Sequence, residues 1–252
     1  MRVGLIGAGN MASALARGWG EPVLVSDVVP ARAESLAAEL GGQAAASNAE
    51  LAEQADLVVL CHKPPQMAEV ADEVAGRARA VASILASTSV EQLEAAYPGV
   101  PVYRFIPNIP AEIGRGVLCY APGGLAEEGP VHDVLDLFGR LGSVIPLDDG
   151  LIDAAMAVMS CGPAYVALMI EALGDAGMTH GIGEKEARLM ALETFGGTAA
   201  LLAERGISPA ELRERVATPG GTTERGLRAL EDHGLRETVA AAVDAAAGAA
   251  PS

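Results

Sequence analysis

Val3-Gly4-Leu5-Ile6-Gly7-Ala8-Gly9-Asn10-Met11-Ala12-Ser13-Ala14-Leu15-Ala16 stands near the start of the chain and decides how the rest is read. A short apolar run enters Gly7, Gly9 and Ala12 and continues into good helix formers, the order of a strand, a tight turn and a helix N-terminus. Gly7 makes the turn, Gly9 lets backbone approach a pyrophosphate, and Ala12 lets the helix pack close to the strand. The unpaired N–H groups of the first helical turn then face the anion, aided by the helix dipole. A glycine-rich turn without a ligand is the alternative. It is weakened by Val23-Leu24-Val25-Ser26, a second strand pattern ending at Asp27, about twenty residues on, where a carboxylate accepts from a ribose hydroxyl.

The totals narrow the classes. In 252 residues, half of them hydrophobic, there is room for one large or two medium domains with a sizeable core. A formal charge of −16 argues against nucleic acid and against an anionic membrane surface as partners. Scarce aromatic residues leave few stacking platforms for single strands. Cys61, Cys119 and Cys161 form no C-x-x-C pair, which suits a reducing compartment, and a cytoplasmic location is expected. His62, His132, His180 and His233 show no metal-ligand spacing, so no metal is expected. Glycines and Asn10 interrupt what would otherwise pass for a signal peptide. The apolar run from Ala154 to Leu173 raises a membrane question, but Gly162-Pro163 is expected to cut it into short pieces, leaving a buried helix.

Up to about Leu147 short apolar runs alternate with helical stretches, the pattern of a parallel sheet wrapped by helices. Strands are expected at 3–6, 23–26, 57–61, 81–85, 102–105, 117–120 and 143–146. Helices are expected at 11–18, 31–40, 48–55, 67–75, 90–97 and 131–141. The fold class is therefore α/β followed by all-α: a Rossmann-like, doubly wound dinucleotide-binding domain over 1–149, and a helical substrate-binding and dimerisation domain over 150–252. Helices such as 164–176 and 186–203 are apolar around much of their circumference, and a hundred residues of helix cannot cover them alone. A homodimer is the expected remedy. A last alanine-rich helix is expected over 238–249, with a frayed end.

Candidate coenzyme residues gather where the expected strands end. Gly7, Ala8, Gly9, Asn10 and Met11 form the turn, while Ser26 and Asp27 close the second strand. Asp27 favours NAD, whereas Arg32, just after a helix entrance at Pro30, tolerates the ribose phosphate of NADP; an N-cap and a solvated arginine are the plain alternatives. Lys63 and Pro64 follow the strand at 57–61, and Lys63 is one of only two lysines. It is either a ligand-facing or simply an exposed charge, and His62 beside it is either a satisfied neighbour or an acid. Pro107-Asn108-Ile109-Pro110 fixes an amide that both donates and accepts, where the nicotinamide end is expected.

In the second half Thr218-Pro219-Gly220-Gly221-Thr222-Thr223 breaks one helix and starts another. Thr222 or Thr223 is expected to cap the new helix, with no capping-box acid at the right spacing. Hydroxyls and free N–H groups there suit a carboxylate and a substrate nitrogen; a routine helix connection is the alternative.

With Gly7-Ala8-Gly9-Asn10-Met11-Ala12, Lys63-Pro64, Pro107-Asn108, Gly162-Pro163-Ala164-Tyr165 and the threonine bend, the chain resembles pyrroline-5-carboxylate reductases over nearly its whole length. The resemblance implies a homodimer or larger homo-oligomer with interleaved helical domains, its active site between the nucleotide domain and the helical domains. It also implies reduction of 1-pyrroline-5-carboxylate to proline by NADPH or NADH, the last step of proline synthesis. By the same resemblance Thr223 is the catalytic hydroxyl near the imine nitrogen, Thr218, Gly221 and Thr222 lie at the substrate carboxylate, and Lys63 and Asn108 border the coenzyme. Four places depart from the family pattern: Met159-Ser160-Cys161 before Gly162-Pro163, Ile109 for a threonine, Ser87 for a glycine, and an added Pro65. A reductase of another cyclic imine, or a non-catalytic nucleotide-binding protein, are the alternatives.

Overall fold

The computed structural model describes residues 1–248, so Ala249 and the frayed end expected there lie outside the described residues. Two compact units are present, Met1–Pro163 and Ala164–Gly248.

The first unit is built on β1 (Val3–Ile6), α1 (Asn10–Trp19), β2 (Leu24–Ser26), α2 (Pro30–Glu39), β3 (Gln43–Ala44), α3 (Asn48–Gln54) and β4 (Leu57–Leu60). It continues through α4 (Met67–Val74), β5 (Val81–Ser83), α5 (Val90–Ala96), β6 (Val102–Pro107), β7 (Gly116–Pro122), α6 (Val131–Gly139), β8 (Gly142–Pro146) and α7 (Ile152–Met159). The eight strands form one sheet in the order β3-β2-β1-β4-β5-β6-β7-β8. Strand order reverses between β1 and β4, which places a ligand crevice at their carboxyl ends.

Both faces of this sheet are covered at its centre, so β1 and β4 are buried at every position and show no polar alternation. Leu5, Leu57 and Val59 face a core shared with Leu15 and Trp19 of α1, Leu36 of α2 and Phe138 of α6. Ile6, Val58 and Leu60 face the opposite core, with Leu51 of α3, Val70 of α4 and Leu93 of α5. Pro30 sits in the first turn of α2, where a missing N–H costs nothing.

Two features differ from expectation. β3 is only two residues long, too short to carry a pattern. And β6 pairs antiparallel with β7, because the link between them is a single 3-10 turn at Ile109–Ile113, too short for the crossover a parallel pair needs.

The division into units falls after Pro163 because α7 is part of the first unit's packing. Ile152 joins Ile106, Cys119 and Ala121 in a third small core. The Arg104 side chain, only 2 % exposed, donates to Asp149 and to Asp153 at 2.7 Å each. At the other end of α7, Asn108 Nδ2 donates to the Met159 carbonyl and Ser160 Oγ donates to the Pro107 carbonyl.

The second unit comprises the body of α8 (Gly162–Thr179) with α9 (Glu184–Arg205), α10 (Pro209–Val216), α11 (Thr222–Asp232) and α12 (Leu235–Gly248). Pro163 was expected to cut the apolar run, but it sits in the first turn of α8, where proline is tolerated, and only Ser160 and Cys161 separate α7 from α8. Residues 149–179 are therefore the one helical stretch, among those described, long and apolar enough to cross a membrane by length and composition. Nor is α8 buried as expected: within the single chain Gly174 alone of its residues is buried, and Leu168, Leu173, Leu189, Met190 and Leu192 of α8 and α9 are exposed. Apolar helices in this state require a cover from outside the chain.

Ser87 is the one non-glycine residue among those described with positive φ, at 51°. A Cβ in that conformation is disfavoured by about 1 kcal/mol, so Ser87→Gly is expected to raise unfolding free energy by roughly 0.5–1 kcal/mol in urea titration.

Candidate active site

The carboxyl ends of β1, β2 and β4 enclose a cleft of about 320 Å³ whose walls include Gly7, Gly9, Asp27, Arg32, Asn48, Lys63 and Gln66. Gly7 makes the corner. Its φ is +106°, and a Cβ there would lie 2.7 Å from the Cys61 carbonyl oxygen; its N–H donates to the Ser26 carbonyl at 2.8 Å. Gly9 is the N-cap of α1 in extended backbone. A Cβ added at Gly9 meets nothing within 4 Å, so the space in front of the helix N-terminus is open to a ligand. Asn10 and Met11 are the first two residues of α1, in the turn whose N–H groups lack partners within the helix. These features fit a dinucleotide pyrophosphate.

Asp27 is not an N-cap. Its Oδ2 accepts from the Ala8 N–H at 2.7 Å and its Oδ1 from the Val29 N–H at 2.8 Å, so the carboxylate is fixed at the end of β2. Ser26 is 3 % exposed and its hydroxyl donates to Asn48 Oδ1; it supports the cleft wall rather than facing it. Asn48, Gln66 and Val70 also line the cleft, and no local pattern marked them in advance. They belong to α3, to the 3-10 turn at Pro64–Gln66 that Pro64 begins, and to α4, brought together only by the sheet.

Lys63 is exposed at the cleft, its backbone N–H held by Gln66 Oε1 at 3.2 Å. His62 Nδ1 lies 2.9 Å from the Lys63 carbonyl, and its buried Nε2 has no partner among the described residues. Burial holds the imidazole below its usual pKa, partly offset by that carbonyl, which makes it a neutral wall residue rather than an acid at neutral pH. Burial likewise pushes the Cys61 thiol up, so no thiolate nucleophile forms there.

The Asn108 amide is committed within the fold. Its Nδ2 donates to Met159 and its Oδ1 accepts from the Val117 N–H at 2.9 Å, so its amide is used to join β6, β7 and the end of α7. The sequence shows that the amide has two functions, not where they are used.

In the second unit the threonine bend is a tight turn: the Gly221 N–H donates to the Thr218 carbonyl at 2.9 Å, with Pro219 second and Gly220 third at φ +74°, the places a type II turn gives them. Neither Thr222 nor Thr223 caps α11; Gly221 does, without a side-chain bond. That shift of the cap puts Glu224 at the third helical position, where its carboxylate accepts from the Gly220 N–H at 2.6 Å, and Arg225 donates to the Gly220 carbonyl at 2.9 Å. This is not a capping box: the cap has no side chain, and Glu224 reaches the N–H of the residue before it. Held from both sides, the bend leaves the hydroxyls of Thr218, Thr222 and Thr223 without a hydrogen bond among the described residues.

Residues 149–251 match the family described as pyrroline-5-carboxylate reductase dimerisation, and residues 2–90 that described as NADP oxidoreductase, coenzyme F420-dependent. Along nearly the whole chain, a pyrroline-5-carboxylate reductase of Synechocystis sp. is 35 % identical, covering 98 % of this chain and 96 % of its own. The chain belongs to the pyrroline-5-carboxylate reductase family. A further member, from Aquifex aeolicus, is 34 % identical over 95 % of this chain and 92 % of its own. Among solved structures, the Streptococcus pyogenes reductase superposes with a TM-score of 0.89 at 30 % identity, covering 98 % of this chain and 97 % of its own. The Plasmodium falciparum reductase with NADP bound gives 0.84 at 27 % identity, covering 98 % and 96 %. The dimerisation match accounts for the uncovered apolar helices of the second unit: the protein is a homo-oligomer.

Gly9→Thr keeps an acceptable cap and is expected to change stability by less than about 0.5 kcal/mol, yet to lower dinucleotide affinity at least tenfold by filling the cradle, measured by calorimetric titration. Gly7→Ala, by contrast, is expected to cost roughly 2 kcal/mol or more of stability, because the new methyl meets a backbone carbonyl at a strained φ. Because the His62 pKa is lowered, the unfolded chain binds its proton first as pH falls. Its contribution to stability is therefore complete above about pH 6.5 and declines as pH drops through the lowered folded value, and an NMR titration of the ring should show a midpoint below that of a free histidine.

Proposed function

We propose that this protein reduces the C=N bond of 1-pyrroline-5-carboxylate to give proline, with NADPH or NADH as reductant. In this reading the first unit holds the coenzyme and the second holds the substrate and joins the subunits through interleaved helices. The observation that carries it is the pairing of an open, glycine-lined dinucleotide cradle with a rigid bend whose three hydroxyls are unspent.

Gly7, Ala8, Gly9, Asn10 and Met11 present N–H groups to the pyrophosphate, Asp27 takes the adenosine ribose, and Lys63 and Pro64 form the wall beyond β4. The Asn108 amide acts at one remove, by fixing the β6–β7 corner. When bound, the reduced nicotinamide supplies a hydride to the imine carbon. An imine accepts hydride well once its nitrogen is protonated or strongly hydrogen-bonded, and a cyclic imine takes that proton from water. Thr223 is then the group at the nitrogen: its hydroxyl orients the ring and steadies the charge there. Thr218, Gly221 and Thr222 receive the substrate carboxylate, with N–H groups of the first turn of α11 adding to the hydroxyls. No side chain has to give up a proton, and Glu224 and Arg225, the charged residues that follow the threonines, are both committed to holding Gly220.

Members of this family are metabolic enzymes, and a cytoplasmic location goes with that role. Binding to nucleic acid or to a membrane plays no part in the proposal.

The direct test follows oxidation of NADPH and of NADH with 1-pyrroline-5-carboxylate beside cyclic imine acids one carbon smaller and larger. Fastest turnover with the five-membered ring is expected; preference for another ring would move the substrate to a related imine, and silence with all three would favour a non-catalytic role. Thr223→Ala is expected to lower kcat at least tenfold, about 1.4 kcal/mol of transition-state stabilisation, while dinucleotide affinity stays unchanged.

A further inference from the structure

We propose that Asp27 makes this chain discriminate between the two nicotinamide coenzymes, in favour of the one whose adenosine ribose carries a free 2′-hydroxyl. The inference rests on the dinucleotide role of the cleft and is independent of which imine is reduced.

Asp27 is held by two backbone N–H groups, Ala8 at 2.7 Å and Val29 at 2.8 Å, so its carboxylate cannot swing away without giving up both. A carboxylate offers about four lone-pair sites, which leaves acceptors directed at the cleft it lines. Those acceptors match the donor of a ribose hydroxyl. A 2′-phosphate brings only acceptors and nearly two negative charges to the same place, and the chain's excess of acidic groups adds to the repulsion.

Three nearby groups bear on the balance. Arg32 also lines the cleft, together with the adjoining hollow beside Ala8 and Ser13, and attracts a phosphate. Yet it is exposed, and among the described residues its guanidinium has neither a hydrogen bond nor an ion pair to hold it in place, so it pays ordering entropy where Asp27 does not. Asn48, the polar side chain next to Ser26, accepts from Ser26 and donates to Glu73, and Glu73 adds a further negative charge behind it. Lys63 stands at the end of β4, two strands from β2 in the order β2-β1-β4. That spacing is roughly 10 Å, which places Lys63 beside another part of the dinucleotide. The tethered charge at the ribose is thus negative, and among the described residues the positive one is untethered.

Two probes without a nicotinamide separate this from turnover: ADP-ribose and its 2′-phosphorylated form, titrated calorimetrically into the intact protein at low salt. ADP-ribose is expected to bind roughly tenfold or more tightly than the phosphorylated probe, with the gap narrowing as salt screens the repulsion. Asp27→Asn keeps an acceptor for the Ala8 N–H and removes the charge; it is expected to strengthen binding of the phosphorylated probe and to close or invert the ratio. Equal affinities in the unaltered protein, tighter binding of the phosphorylated probe, or an unchanged ratio in Asp27→Asn would overturn the inference while leaving the cleft's role intact. Binding of neither probe would overturn both.

Discussion

The corner at Gly7 is the constraint on which the rest depends. There β1 stops, the chain turns at a backbone angle that only glycine takes without strain, and α1 begins with its N-terminus at the carboxyl edge of the sheet. The same corner is bonded to both neighbours: the Gly7 N–H reaches the Ser26 carbonyl, and the Cys61 N–H reaches the Ile6 carbonyl. A larger residue would drive β1 and β4 apart at the point where strand order reverses, and the crevice for a ligand would go with it. Asp27 then ties the loop back through Ala8. Binding geometry and strand pairing are thus set by one small group of atoms, which is why the cradle needs no charged side chain of its own.

The first unit was legible because its cores sit on both faces of a parallel sheet. Burial of every residue of β1 and β4 forces continuous apolar runs there, and helix periodicity returns between them. What escaped was either too short for a pattern or set by tertiary contact. Gln43–Ala44 offers only two residues. The direction of β7 is invisible to periodicity, since a strand's apolar pattern is the same read either way. At Asn108 the residue type says that two hydrogen bonds will be made, while the presence of Met159 and Val117 within reach depends on α7 lying against β6. The bend in the second unit shows a local version of the same limit. Threonine and glycine both serve as N-caps, so the choice of Gly221 over Thr222 was not decided by residue type, and a one-residue shift in the cap brought Glu224 into register with Gly220.

The second unit shows how function and association are linked through burial. Its two longest helices, 18 and 22 residues, bury only Gly174, Ala187 and Ala191 between them within one chain. Three small residues supply far too little apolar burial to offset the ordering of so many. Helices of this composition become stable when a second copy covers them, so the fold of this unit and the assembly of the protein are one equilibrium. The apolar stretch at 149–179, which by length and composition alone would suit a bilayer, finds the same explanation in the family's dimerisation region, which spans it.

That coupling also gives a reason for the catalytic demand to fall on hydroxyls, as proposed. A unit that must bury most of its helical surface against another copy tolerates charged groups poorly unless each is paired. Around the threonine bend several acids and bases are spent on structure, Glu224 and Arg225 on Gly220, and Arg215 on Glu211. In the proposed reading, what faces the substrate is neutral: the hydroxyls of the bend and backbone N–H groups at the head of α11. Such groups cannot act as strong acids, but an imine that draws its proton from water does not require one. It requires an anchored carboxylate and a hydrogen bond at nitrogen, and in the proposed reading the turn closed by Pro219 and Gly220 supplies both with neutral groups.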